Sequence, residues 1–147
     1  MALLNTIAFL YFIKRIKTYK KNLNAEMVVI NKERLKANQV ASMEIIGDVD
    51  GKNVIIVDDL VDTAGTLCAA ADLLISQGAK SVKAYCTHGI LSGPARDNIQ
   101  KSKIEKLYIS DTVIETIDHP KIEIVSCAPI LANAIENVVQ NKSLSQL

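Results

Sequence analysis

The sequence has no surplus of either charge: 17 lysines and arginines stand against 16 aspartates and glutamates in 147 residues, a net charge of +1. A nucleic-acid binder gathers a basic excess on one face, and this balance leaves no such footprint. The one locally basic stretch, Lys14 to Lys21, reads as the solvated face of a helix. Cysteine is scarce as well. Cys68, Cys86 and Cys127 are odd in number and far apart, which excludes a disulfide framework and the paired spacing of zinc ligands. Each sits in or beside an apolar run, so the expectation is buried, reduced thiols in a cytoplasmic protein. A long hydrophobic run is missing too. Met1 to Ile13 is mostly apolar, but crossing a bilayer takes about 20 such residues. A signal peptide places its positive charge before the apolar stretch, whereas Lys14 and Arg15 follow it. No export signal and no membrane partner are expected.

What is present is a globular composition, 49% hydrophobic and 22% charged, of a size that suits one domain. Strand-like and helix-like segments alternate along it. Ile13 to Leu23 has an apolar stripe at 13, 16, 19 and 23 and predicts a helix. Met27 to Ile30 and Val54 to Val57 are continuous apolar runs of the kind found in parallel sheets covered on both faces. Asn31 to Gln39 is polar and reads as a loop. The strongest helix signal is Leu67, Ala70, Ala71, Leu74 and Ile75, with Gly78 as its stop. Val82 to Cys86, Leu107 to Ile109 and Ile122 to Val125 predict further strands. Ser92-Gly93-Pro94 reads as a helix start, with Ser92 as the cap. Leu131, Ala134, Ile135 and Val138 predict an amphipathic C-terminal helix. The fold class expected is α/β, three-layered, with a largely parallel sheet and helices on both faces. Ligands in such sheets bind beyond the carboxyl ends of strands. That rule points to Asp58 to Thr66, His88 to Gly93 and Ser126 to Pro129.

The chemistry concentrates in the first of these segments. Two adjacent carboxylates, Asp58 and Asp59, can accept hydrogen bonds from a vicinal diol or hold a Mg²⁺ ion. Asp62-Thr63-Ala64-Gly65-Thr66 then supplies small residues, a glycine and two hydroxyls just before a strong helix, where backbone N–H groups make a phosphate cradle. A plainer alternative is a capped helix with Asp62 or Thr63 as the cap. His88 is equally well a hydrogen-bonded structural residue, and His119, before Pro120, is expected in an exposed loop.

Val54 to Thr66 resembles the thirteen-residue signature for 5-phosphoribosyl 1-pyrophosphate (PRPP) of type I phosphoribosyltransferases and PRPP synthetases. Asn31-Lys32-Glu33-Arg34 with Lys36-Ala37-Asn38 resembles the flexible catalytic loop of the synthetases. Thr87 to Ala95 and Asn141 to Ser145 are similar to other stretches of the same family. The resemblance runs from about Arg15 to the end and implies a phosphoribosyltransferase-like domain over 14–147, the second of the family's two domains, after an unrelated segment, 1–13. It implies transfer of pyrophosphate from ATP to ribose 5-phosphate, giving PRPP and AMP. Asp58 and Asp59 would hold the ribose hydroxyls and, through the substrate, Mg²⁺. Asp62, Thr63, Ala64, Gly65 and Thr66 would wrap the 5-phosphate, and Lys32 and Arg34 would be the catalytic cations. A homo-oligomer, or association with full-length subunits, is also implied. Where the family carries an acid and paired glycines, this chain has Phe9-Leu10-Tyr11-Phe12, and the ATP site is expected to be incomplete. Two other readings remain: a PRPP-using phosphoribosyltransferase, and a non-catalytic subunit of a full-length synthetase.

Overall fold

Alternation along the strands decides how the chain is layered. The structure, a computed structural model, describes residues 6–9, 25–36, 39–114 and 116–145, with side chains for 25–31, 43–114 and 116–145. The helix predicted for Ile13 to Leu23 lies outside the described residues. The strands are β1 (Thr6–Phe9), β2 (Glu26–Lys36), β3 (Gln39–Ile46), β4 (Asn53–Val61), β5 (Ser81–Gly89), β6 (Lys106–Ser110) and β7 (Ile122–Val125). Helices α1 (Gly65–Ser76), α2 (Ala95–Lys101) and α3 (Ala128–Val139) follow β4, β5 and β7. One seven-stranded sheet results, ordered β3-β2-β1-β4-β5-β6-β7. All its pairings are parallel except β2 with β3.

On one face Val28, Ile30, Val54, Ile56, Val82, Ala84, Leu107 and Ile109 meet Leu67, Ala70, Ala71 and Leu74 of α1 and Ala95 and Ile99 of α2 in a single core. Non-directional burial of this apolar area is the main force holding the layers together. The α1 stripe is the one read from the sequence. The helix stops at Gly78, whose φ of 93° is a left-handed turn that glycine takes without penalty. Beyond it the Ala79 N–H returns to the Leu74 carbonyl at 3.1 Å, closing the end of the helix. On the opposite face Tyr85 and Tyr108 stack at a centroid distance of 4.5 Å. A cavity of about 470 Å³ separates these rings from Ile130 of α3.

The structure corrects three expectations. Asn31 to Gln39 is not a loop: β2 runs on to Lys36 and β3 returns antiparallel from Gln39, with irregular register around Arg34. A polar two-stranded arm needs no apolar face, since backbone pairing alone defines it, so hydrophobic patterning does not reveal it. Ser92 is not the cap of α2. Pro94 holds that position without a side-chain hydrogen bond, because the Ser92 hydroxyl is turned to Asp62. Finally, α3 forms where its stripe predicted, but none of its residues is buried. Leu131 is 59% and Ile135 65% exposed.

Candidate functional site

The first part of the candidate site is strand, not loop. β4 stays paired to β5 through Asp58↔Cys86, Leu60↔His88 and Val61↔Gly89, so Asp58 and Asp59 stand on the last rungs of the sheet. Only Asp62 to Ala64 link it to α1. Asp58 is half-buried and Asp59 exposed. The Asp59 N–H donates to Asp58 Oδ1 at 2.9 Å. Burial nonetheless dominates and pushes the Asp58 carboxyl up to about 6, with the neighbouring Asp59 charge adding to the rise. The Cys86 thiol, beside it in register, is pushed up to about 12 by the same burial, and it donates to the His88 carbonyl at 3.5 Å.

The shift makes a stability prediction. The fold favours neutral Asp58, so its contribution is fully present below about pH 4, the unfolded value, and is lost as pH rises through about 6. Half-exposure screens the effect, leaving about 1 kcal/mol. Chemical denaturation from pH 4 to 7 should show this decline in wild type, and Asp58→Asn should remove it. An equal slope in both proteins would contradict the assignment.

Helix α1 begins without a capping side chain. Its N-cap is Ala64, in the left-handed region at φ 60°, and the cap makes no side-chain hydrogen bond. The plainer alternative, Asp62 or Thr63 as a cap, therefore does not hold. Asp62 accepts from the Ser92 hydroxyl instead, and the Thr63 carbonyl accepts from Asn98 Nδ2 at 2.9 Å. Asp58 to Leu67 together line an open cleft of about 280 Å³, so the carboxylate pair and the helix N-terminus share one space. The larger cavity beside it shares Asp58 but is walled mainly by Ile55, Val57, Tyr85, Tyr108 and Ile130. Thr87, Ser110 and Ser126 add hydroxyls to that wall, but among the described residues no lysine, arginine or histidine lines it.

The β2–β3 arm carries Lys32 and Arg34. Phe9 pairs with Val29 on one side and with Val57 on the other. Counting along the parallel strands sets Lys32 level with Leu60 and Arg34 level with Asp62. Both backbones thus extend past the same carboxyl edge as the acid pair, two strands over, or roughly 10 Å. Lys32 pairs with Met43 and Arg34 with Val40.

The segment after β5 was only partly legible. His88 Nδ1 shares a hydrogen bond with Thr112 Oγ1 at 2.9 Å, the structural role weighed for it. His119 is half-buried rather than exposed. Its Nδ1 accepts from the Lys121 N–H at 3.1 Å, so Nε2 carries the proton and meets the Arg96 carbonyl at 3.2 Å. Asn98 gave no signal beforehand, because its partner is a backbone carbonyl far away in sequence. Cys68 and Cys86 are buried and Cys127 half-buried, all as free thiols. Among the described residues no helix is long and apolar enough to cross a membrane. No group of three His, Cys, Asp or Glu side chains there is placed to hold a metal.

A mostly parallel sheet that ends in an acid pair and a short turn into a helix is the type I phosphoribosyltransferase architecture. The chain belongs to the phosphoribosyl synthetase-associated domain family, whose pattern matches residues 14–147. It is 42% identical over 135 residues to a ribose-phosphate pyrophosphokinase of Helicobacter hepaticus, covering 92% of this chain and 44% of that protein. The corresponding protein of Xanthomonas campestris is 46% identical over 137 residues, covering 90% and 43%. The fold superposes on a phosphoribosylpyrophosphate synthetase of Mycobacterium smegmatis with a TM-score of 0.77 and 31% identity, over 93% of this chain and 46% of that one. An adenine phosphoribosyl transferase of Trypanosoma brucei shares the fold at a TM-score of 0.52 and 21% identity, over 90% and 68%. The chain spans less than half the length of the curated relatives it matches.

Proposed function

We propose that this chain carries the ribose 5-phosphate site and the cationic arm of a ribose-phosphate pyrophosphokinase. The observation that carries the reading is the single cleft in which Asp58 and Asp59 adjoin the open N-terminus of α1. In this reading the carboxylates accept from the ribose hydroxyls, while Asp62, Thr63, Ala64, Gly65 and Thr66 surround the 5-phosphate. Pyrophosphate moves from ATP to the anomeric oxygen, AMP leaves, and the product is PRPP. Such transfers depend on positioning and charge neutralisation. Lys32 and Arg34, level with the cleft on their arm, suit that task as donors to the transferring phosphates. The oxygen-only donor pair at Asp58 and Asp59 fits Mg²⁺, which keeps most of its water and leans on substrate phosphates. Bound there, the ion would neutralise phosphate charge.

The exposed apolar stripe of α3 supports an oligomer of this chain or its association with full-length subunits. Free thiols suit a cytoplasmic enzyme. Because Phe9-Leu10-Tyr11-Phe12 stands where the family carries an acid and paired glycines, residues 1–147 should bind ribose 5-phosphate weakly and form AMP slowly or not at all. Calorimetric titration with ribose 5-phosphate, with glucose 6-phosphate as control, tests the site. Equal response to both sugars overturns the reading. Robust AMP formation by the purified chain overturns the claim that its ATP site is incomplete.

A further inference from the structure

Three successive carbonyls before α1 are all held from the same side. The Val61 carbonyl accepts from the N–H groups of Ile90 at 2.9 Å and Leu91 at 3.2 Å. The Asp62 carbonyl accepts from the Ser92 N–H at 3.1 Å, and the Thr63 carbonyl from Asn98 Nδ2 at 2.9 Å. The Ser92 hydroxyl adds a bond to the Asp62 carboxylate. In a planar trans peptide the C=O and the next N–H point in opposite directions. There are no cis peptides among the described residues. Anchoring the Asp62 and Thr63 carbonyls therefore aims the N–H groups of Thr63 and Ala64 the other way. The cleft lies on that side, for it is lined by Asp58 to Leu67 and by nothing from the 90–98 segment.

The anchor itself is rigid. Asn98 sits in the first turn of α2, where its N–H donates to the Pro94 carbonyl at 2.9 Å. Flanking Ala95 and Ile99 are fully buried in the core. Leu91 and Gly93 both take left-handed backbone, at φ 53° and 51°. For a leucine that conformation is strained and persists only where the surroundings impose it. Here it turns the chain so that Leu91 and Ser92 both reach the loop.

We propose that Asn98 and Ser92 are positioning residues that orient the Thr63 and Ala64 N–H groups toward a bound phosphate. This rests on the sugar-phosphate reading above and names the residues that make the cradle stiff. Donors that need no reorganisation bind an anion more tightly than donors that must first be ordered. Asn98 touches no ligand, and its effect runs through one peptide plane.

The test uses two probes, inorganic phosphate and ribose 5-phosphate, titrated into the full chain while the Thr63 and Ala64 amides are followed by NMR. In Asn98→Ala both affinities should fall about tenfold, and the two amide shifts on binding should shrink. Asn98→Asp keeps the shape of the side chain but sets a carboxylate against the Thr63 carbonyl, and should lose more. Ser92→Ala should lose less, since its N–H contact remains. Thermal unfolding of each variant accompanies the titrations, and the isosteric Asn98→Asp carries the test if Asn98→Ala proves unstable. Unchanged affinity for inorganic phosphate in both Asn98 variants overturns the proposal, even if ribose 5-phosphate binding falls. A wild-type chain that binds neither probe overturns the sugar-phosphate reading and this one with it. A wild type that binds both, with variants that match it, overturns the positioning role alone.

Discussion

Asp58→Asn combined with Asp59→Asn is expected to lower ribose 5-phosphate affinity about 10- to 100-fold while the fold persists. A hydrogen bond to a charged acceptor contributes about 1.5–3 kcal/mol, roughly twice a neutral one. Two carboxylates gripping one diol, each weakened to an amide, together cost about 1.5–3 kcal/mol, or about 10- to 100-fold. The stability of the ligand-free protein should move the other way. Asp58 is half-buried and its carboxyl is held up near 6 by that burial, so at pH 7 the fold carries a partly desolvated charge that asparagine removes. Melting temperature at pH 7 should hold or rise as binding disappears. The diol does not explain inorganic phosphate binding, so that probe should be nearly unaffected, the reverse of what Asn98→Ala does. Unchanged ribose 5-phosphate binding by calorimetry would show that the acid pair does not hold the sugar.

This opposition between stability and binding bears on what the sequence made legible. Val54 to Val57 was readable as a continuous apolar run, the mark of a strand covered on both faces, and the α1 stripe because burial of one helix face imposes a period of 3.6 on apolar residues. The acid pair was readable because it interrupts such a run at the strand end, where nothing in the core asks for charge. Other features obey no such period. The β2–β3 arm is defined by backbone pairing, with Lys32 opposite Met43 and Arg34 opposite Val40, and that pairing is indifferent to side-chain polarity. Asp58 to Leu60 continue β4 for a similar reason, since β5 supplies backbone partners through this polar and exposed stretch as far as the buried Val61. The α3 stripe was legible as amphipathic but said nothing of where its apolar side would face. The Asn98 bond to the Thr63 carbonyl spans 35 residues, and no local pattern encodes a side chain meeting a distant backbone group. Its counterpart, Ser92, was readable as a polar residue before a proline and was assigned the commoner role of a cap.

Gly65 offers the second large effect, one in which fold and ligand make opposite demands on the same atom. Among the described residues a Cβ built there meets only the Thr63 Oγ1, at 4.0 Å, so the packing described around it does not need glycine. Helix propensity does not favour it either, since valine at a helical position is preferred over glycine by a few tenths of a kcal/mol. The space that a side chain would enter is the cleft between the acid pair and α1. A phosphate must bring its oxygens within about 3 Å of backbone N–H groups to be held, and branched methyls at the first helical residue would bar that approach. Gly65→Val is accordingly expected to unfold at or slightly above the wild-type temperature while losing both ribose 5-phosphate and inorganic phosphate affinity at least 100-fold. Loss of both probes distinguishes it from the acid-pair variant, which loses only the sugar. If Gly65→Val melts normally and still binds inorganic phosphate, the anion does not sit at the N-terminus of α1, and the cleft needs another occupant.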